Sequence, residues 1–337
     1  MLNALILNVA FLAGGILSWQ VQDSHTTASL RGLSVQGTEI WTSGTGGTYL
    51  QSSDAGATWR AAQVPGAANL DFRAVAAIGG RVYLVSSGPG EQSRIYMSPD
   101  AGQTWTLQFT NNEPQGFFDA VAFWDAQHGI VLGDPINGHW DIATTSDGGE
   151  HWTRQAGPTA QQDEGAFAAS GTCLIVRGKA DAWFATGGKG GARVMHSIDG
   201  GQTWTTASAP IRHDGPGAGI FSIAFRDDLH GIIVGGDYGK PAEDEGNVAI
   251  TSDGGRTWRS TGGVRPHGYR SAAIYWDAQK AWLVVGISGS DISLDDGQNW
   301  QQFDSRNLNS AGVSGGVAVG VGPKGVVATI QERYTQR

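Results

Sequence analysis

Three arginines of this 337-residue chain follow a large apolar residue at the head of an apolar run: Leu30-Arg31, Phe72-Arg73 and Tyr269-Arg270. Phe118-Asp119 and Phe221-Ser222 repeat the arrangement with other polar groups. A guanidinium stays charged and presents a planar fork of donors, which suits two-point recognition of a carboxylate or phosphate. Three of them drawn from separate runs to one place would hold an acidic ligand, such as a peptide carboxylate or an acidic sugar. More polar groups fall in turns between runs: Arg94 with Glu91, Asp134 before Pro135, and Asp237 with Tyr238. Glu164 and Tyr269 complete the candidate set. A second reading makes the same groups a hydrolase. Tyr238 or Tyr269 with Glu164 would be the nucleophile pair and Asp119 or Asp134 the acid of a glycoside hydrolase. No spacing fixes such a pair. A third reading makes the aromatics a packing ring and the charges mutually paired.

What must position these groups is a repeat. The phrase Ser/Thr-x-Asp-x-Gly-x-x-Trp occurs six times, ending at Trp59, Trp105, Trp152, Trp204, Trp258 and Trp300. Its copies lie roughly 40 to 55 residues apart, the spacing of an array of supersecondary units. The Asp carboxylate can accept N–H groups of its own turn, the Gly supplies a positive φ, and the Trp opens the next strand. These Asp residues are therefore fold devices. The hairpin resembles the Asp-box (BNR) hairpin of β-propellers.

Each repeat marks a blade of four strands, its hairpin joining the third to the fourth: Leu30–Val35, Glu39–Ser43, Thr48–Ser52 and Trp59–Gln63 make the first blade. Later blades open at Phe72, Phe118, Phe167, Phe221 and Tyr269. After Asn307 only three strands remain, and the orphan strand Ile16–Gln22 supplies the fourth. The expected fold is all-β, a seven-bladed β-propeller closed by its N-terminal strand, with residues 16–337 as one domain. Closure removes the exposed edges of an open array. The heads of the inner strands and the turns between second and third strands then share one face around a central channel, opposite the repeat hairpins.

Composition agrees. Gly is abundant at 52, Trp is high at 13, and charged residues are only 16%. A net charge of −9 argues against a nucleic-acid partner. Residues 1–15 read as the remnant of a signal peptide, apolar and ending in small residues, too interrupted for a membrane span. The expected location is periplasmic or secreted, and the expected state a monomer. Cys173 is the one cysteine, so no intrachain disulfide forms. Gly187-Gly188-Lys189-Gly190-Gly191 lies between strands and reads as a turn, not as a nucleotide loop. The eight histidines show no metal-ligand spacing, and His128 and His230, each before a Gly, read as turn residues. No cofactor is expected.

Segments including Ser29-Leu30-Arg31-Gly32-Leu33, Gly116-Phe117-Phe118-Asp119, Gly133-Asp134-Pro135, Ala218-Gly219-Ile220-Phe221-Ser222, Gly235-Gly236-Asp237-Tyr238 and Gly268-Tyr269-Arg270-Ser271 resemble a bacterial branch of the Ycf48/HCF136 photosystem II stability and assembly factors. The resemblance covers nearly the whole chain. It implies a seven-bladed propeller that binds a protein partner, without catalysis or cofactor, at an arginine-bearing channel mouth. Arg31, Arg73 and Arg270 match that mouth. Asp119, Asp134 and Asp237 depart from it, and a photosynthetic role does not follow. Sialidases share the hairpin and use three arginines, but Phe72-Arg73-Ala74-Val75 departs from their first arginine motif.

Overall fold

A computed structural model describes residues 17–330. The segment read as a signal peptide lies outside them. Seven antiparallel sheets form a seven-bladed β-propeller; five are four-stranded meanders in chain order from the inner to the outer strand, and that of blade 5 is such a meander extended at its inner strand by Gly187–Gly188 and Glu164–Gly165. Their inner strands are Leu30–Gln36, Phe72–Ile78, Phe118–Phe123, Leu174–Arg177, Ala218–Phe225 and Ala272–Trp276 for blades 1 to 6. The seventh runs from Ser310–Ser314 through Val317–Val321 and Val327–Ile330 to an outer strand, Gln20–Gln22, taken from the other end of the chain.

That closure follows from the missing hairpin. The register is Gln20 to Thr329, Val21 to Ala328 and Gln22 to Val327. Trp19 does not extend the strand, because its ring turns inward between blades 6 and 7 and is 2% exposed. Its indole N–H donates to Ser290 Oγ at 2.9 Å and its backbone N–H to Asp304 at 3.1 Å. Of the expected strand Ile16–Gln22, residue 16 lies outside the described residues, and of the rest Gln20–Gln22 is strand, with a tryptophan anchor before it.

The repeat hairpins are built alike. In the first, Gly56 N–H donates to Ser52 Oγ (2.9 Å), Ser52 Oγ to Asp54 (2.8 Å), and the Thr58 N–H and hydroxyl to the two Asp54 oxygens (2.8 and 2.6 Å). The turn needs two consecutive positive φ values. Gly56 (87°) supplies one and Ala55 (57°) the other, so the strain tolerated at Ala55 reflects how firmly the flanking bonds hold the turn. The tryptophan sits just before the fourth strand and packs between blades: Trp59 lies with Val319, Val321 and Val327 of blade 7. Adjacent blades are also tied by hydroxyls, with Tyr49 donating to Gly102 O and Tyr83 to Gly148 O, both at 2.7 Å. His128 and His230 are turn residues, each bonded through Nδ1 and backbone N–H to an Asp three positions before it.

These bonds hold the hairpin carboxylates ionised. The Thr203 hydroxyl is the largest influence that lowers Asp199 to about 2. In the third hairpin His151 replaces the threonine, its ring nitrogen 2.7 Å from Asp147. Asp147→Ala is expected to cost about 1 to 2 kcal/mol, since the His151 N–H and Thr145 hydroxyl lose their acceptor at a half-exposed site. Chemical denaturation measures this, and ligand binding per folded molecule stays unchanged.

Candidate functional site

A cavity of about 540 Å³ opens at the centre of the face carrying the inner-strand heads, lined from six of the blades and from the segment that precedes blade 4. It is a cup, not a through channel. Blade 4 does not begin at Phe167, as expected from the sequence, but at Leu174. The residues before it cross the channel and close it. Ser170 Oγ donates to Ser271 O of blade 6 (2.9 Å), and Thr172 Oγ1 to Ser222 Oγ of blade 5 (2.7 Å). Gly171, with φ of 77°, passes so near blade 2 that a Cβ there would stand 3.5 Å from Ala74. Small side chains let the segment lie flat, and Ala166, Phe167, Ala168 and Ala169 become the floor.

One wall is basic. Arg31 and Arg73 stand on adjacent blades with a single carboxylate, Asp71, between them. Arg73 Nε donates to Asp71 at 2.8 Å, and its guanidinium lies 5.9 Å from the centre of the Phe117 ring. Arg31 Nε is buried without a partner in the protein. Burial first, then the like charge of Arg73, draw the Arg31 pKa below its ordinary value.

The next wall, on blade 3, is acidic. Asp119 is 1% exposed, and neither of its oxygens has a hydrogen-bond partner of normal geometry. A bulge after Phe118 turns it inward beside Asp134. Burial raises the Asp119 carboxyl well above the carboxylate range, Asp134 adds to the effect, and Arg73 opposes it. Asp134 accepts the Ala166 N–H at 2.9 Å, yet desolvation still lifts it to about 6. Its native pKa exceeds its unfolded one, so its contribution to stability is full below about pH 4 and is lost as pH rises through 6. Asp134→Asn, which keeps the acceptor, is therefore expected to flatten this fall and to gain about 1 to 3 kcal/mol at neutral pH, read from denaturation curves across that range.

The third wall is aromatic. Phe167 and Phe221 stack at 3.8 Å, and Tyr269 meets Phe221 edge-on at 4.7 Å. Tyr269 is buried, which pushes its hydroxyl pKa up, while Tyr238 is exposed at the rim. Blade 7 closes the circle with Asn307 and Asn309. Asn309 donates to Leu30 O at 2.7 Å, whereas Asn307 Oδ1 is buried without a partner.

Five expected members do not face the cavity. Arg270 is fully buried and bonded to Asp291, with Nε at 2.8 Å and Nη2 on the same oxygen. Its Nη1 donates to Tyr269 O and Ser288 Oγ, both at 2.8 Å. Three converging arginines are thus two. Glu164 is clamped by Arg193, the Thr186 hydroxyl (2.6 Å) and the Gln161 N–H (2.8 Å), so it cannot serve as partner to Tyr238 or Tyr269. Ser222 lies under the floor, accepting from Thr172 and from the Ala273 N–H at 3.0 Å. Arg94 donates to Glu91 O at the outer end of blade 2, and Asp237 caps its own turn through the Gly239 N–H. Asp71 and the asparagines of blade 7 belong to the site and were not among the expected residues. The i, i+2 spacing of Asp71 and Arg73 on one strand face was the available signal for the first.

No protein-family model and no curated protein sequence matches the chain. Similar solved structures are many. One, described as YCF48 bound to D1 peptide, is 17% identical with a TM-score of 0.65, covering 94% of this chain and 97% of the other. YCF48 from Cyanidioschyzon merolae is 15% identical with a TM-score of 0.59, covering 93% and 99%. The WD40 propeller domain of Doa1 reaches 0.62 at 12% identity, covering 95% and 98%. The likeness is one of fold: this chain is a seven-bladed β-propeller similar to YCF48.

Proposed function

We propose that this protein is an exported, non-enzymatic binding propeller that holds an acidic peptide segment of a partner protein in the cup, with Arg31 and Arg73 taking its carboxylate. The observation that carries this reading is the charge balance of the basic wall. Arg73 is bonded to Asp71, the one carboxylate near both guanidiniums, and Arg31 keeps a buried donor without a partner. Like charges held together in a partly desolvated place favour an anion between them. A peptide as ligand is supported by the fold shared with a YCF48 structure that carries D1 peptide. The aromatic wall adds apolar area for a peptide side chain, and the closed floor limits how deep it goes.

The hydrolase reading has less support. Asp119 and Asp134 sit side by side on blade 3, whereas hydrolysis of a glycoside needs two carboxyls on opposite sides of the sugar. Calorimetric titration with capped peptides carrying no, one or several glutamates, and with a free acidic sugar, tests the proposal. Acidic peptides should bind, and more weakly as salt is raised. Equal binding of neutral peptides, or turnover of a glycoside, would sink it.

A further inference from the structure

The basic wall fills only part of the cup, and no cationic side chain is bonded to the acidic wall beside it among the described residues. Asp119 is 1% exposed and neither oxygen has a hydrogen bond of normal geometry, the Ala168 N–H being the backbone donor near it, and the neighbouring Asp134 is held through one oxygen by the Ala166 N–H. Two carboxyls buried together cost stability unless a cation offsets them. The protein does not supply one. The guanidinium whose charge reaches Asp119 is that of Arg73, and it is already bonded to Asp71. The surroundings suit an incoming cation. The stacked rings of Phe167 and Phe221, with Tyr269 against them, line the floor and far wall, and aromatic faces attract ammonium and guanidinium groups.

We propose that the blade 3 wall is a cation subsite, in which an ammonium or guanidinium group of the bound peptide docks on Asp134 and Asp119 while an acidic group of the same peptide takes Arg31 and Arg73. Asp134 is the more open of the two and meets the ligand first, and Asp119 stands behind it as the second carboxyl. The ligand is then bipolar, with a basic and an acidic group a few residues apart, rather than uniformly acidic. This rests on the cup being a peptide site.

Proton linkage gives the subsite a signature. The titratable groups that face the pair are Arg73 of blade 2 and the buried Cys173 of blade 4. A docked cation favours the ionised carboxyls, so binding expels a proton wherever the pair holds one. The benefit of the cation therefore grows as pH rises through about 6, where Asp134 titrates.

The test uses the full chain and two capped peptides of equal length, one with glutamates alone and one in which a neutral residue is changed to lysine. At pH near 7.5 the lysine should tighten binding about tenfold, the size of a charge-assisted contact. The gain should shrink at about pH 5, below the titration of Asp134. It should vanish in Asp134→Asn and weaken in Asp119→Asn, while both variants bind the glutamate-only peptide at least as well as the parent. If the lysine adds nothing in the parent, or its gain survives both substitutions, the subsite is wrong and the acidic-peptide reading stands. If neither peptide binds, the peptide reading fails and the subsite with it.

Discussion

Replacing Arg270 by methionine should lower the unfolding free energy by about 3 to 5 kcal/mol, the cost of leaving a buried carboxylate without its cation. Arg270 and Asp291 are both fully buried in their side chains, and the guanidinium also ties the Tyr269 carbonyl and Ser288 hydroxyl into the loop that leads blade 6. His267, half-exposed, donates to the other Asp291 oxygen at 2.7 Å and cannot replace the lost bonds. Arg270→Met combined with Asp291→Leu should recover much of the loss, because the buried charge goes with its partner. Denaturant titration of the two variants decides the matter. A mild effect for the single variant with loss of peptide binding would return Arg270 to the ligand site.

The second large effect is on binding. Arg31→Gln with Arg73→Gln should weaken an acidic peptide by about a hundredfold or more, since each hydrogen bond to a charged group contributes about 1.5 to 3 kcal/mol. Stability should change little. Arg31 has a buried donor without a partner and a like charge beside it, so its removal relieves repulsion. Arg73→Gln leaves Asp71 short of one ion pair at a part-exposed site, where such pairs contribute about 1 kcal/mol or less. Calorimetry for affinity and thermal unfolding for stability separate the two. Strong destabilisation with unchanged affinity would make both arginines structural.

The fold was legible because its rules are local. Each hairpin carries its own hydrogen-bond scheme within eight residues, and a strand orphaned at one end answers a blade short of a strand at the other. The site was only half legible, for a physical reason. Whether an arginine faces a ligand or a buried acid depends on partners brought in by strand pairing: Asp291 lies 21 residues from Arg270, and Arg193 lies 29 from Glu164. Arg31, Arg73 and Arg270 look alike beside their apolar neighbours, yet only Arg270 meets a carboxylate that is fully buried with it, whereas the Arg73–Asp71 pair stays part-exposed. The plug was hidden too. Phe167 reads as the head of an inner strand, whereas bonds of Ser170 and Thr172 to blades 6 and 5 carry the segment across the channel.

A crystal structure of the protein with a capped acidic peptide bound tests the central claim most directly. The peptide should lie in the cup, with a carboxylate within hydrogen-bond distance, about 2.7 to 2.9 Å, of guanidinium nitrogens of both Arg31 and Arg73. A peptide seated on the face of the repeat hairpins or along a blade edge, with the cup empty, would contradict it.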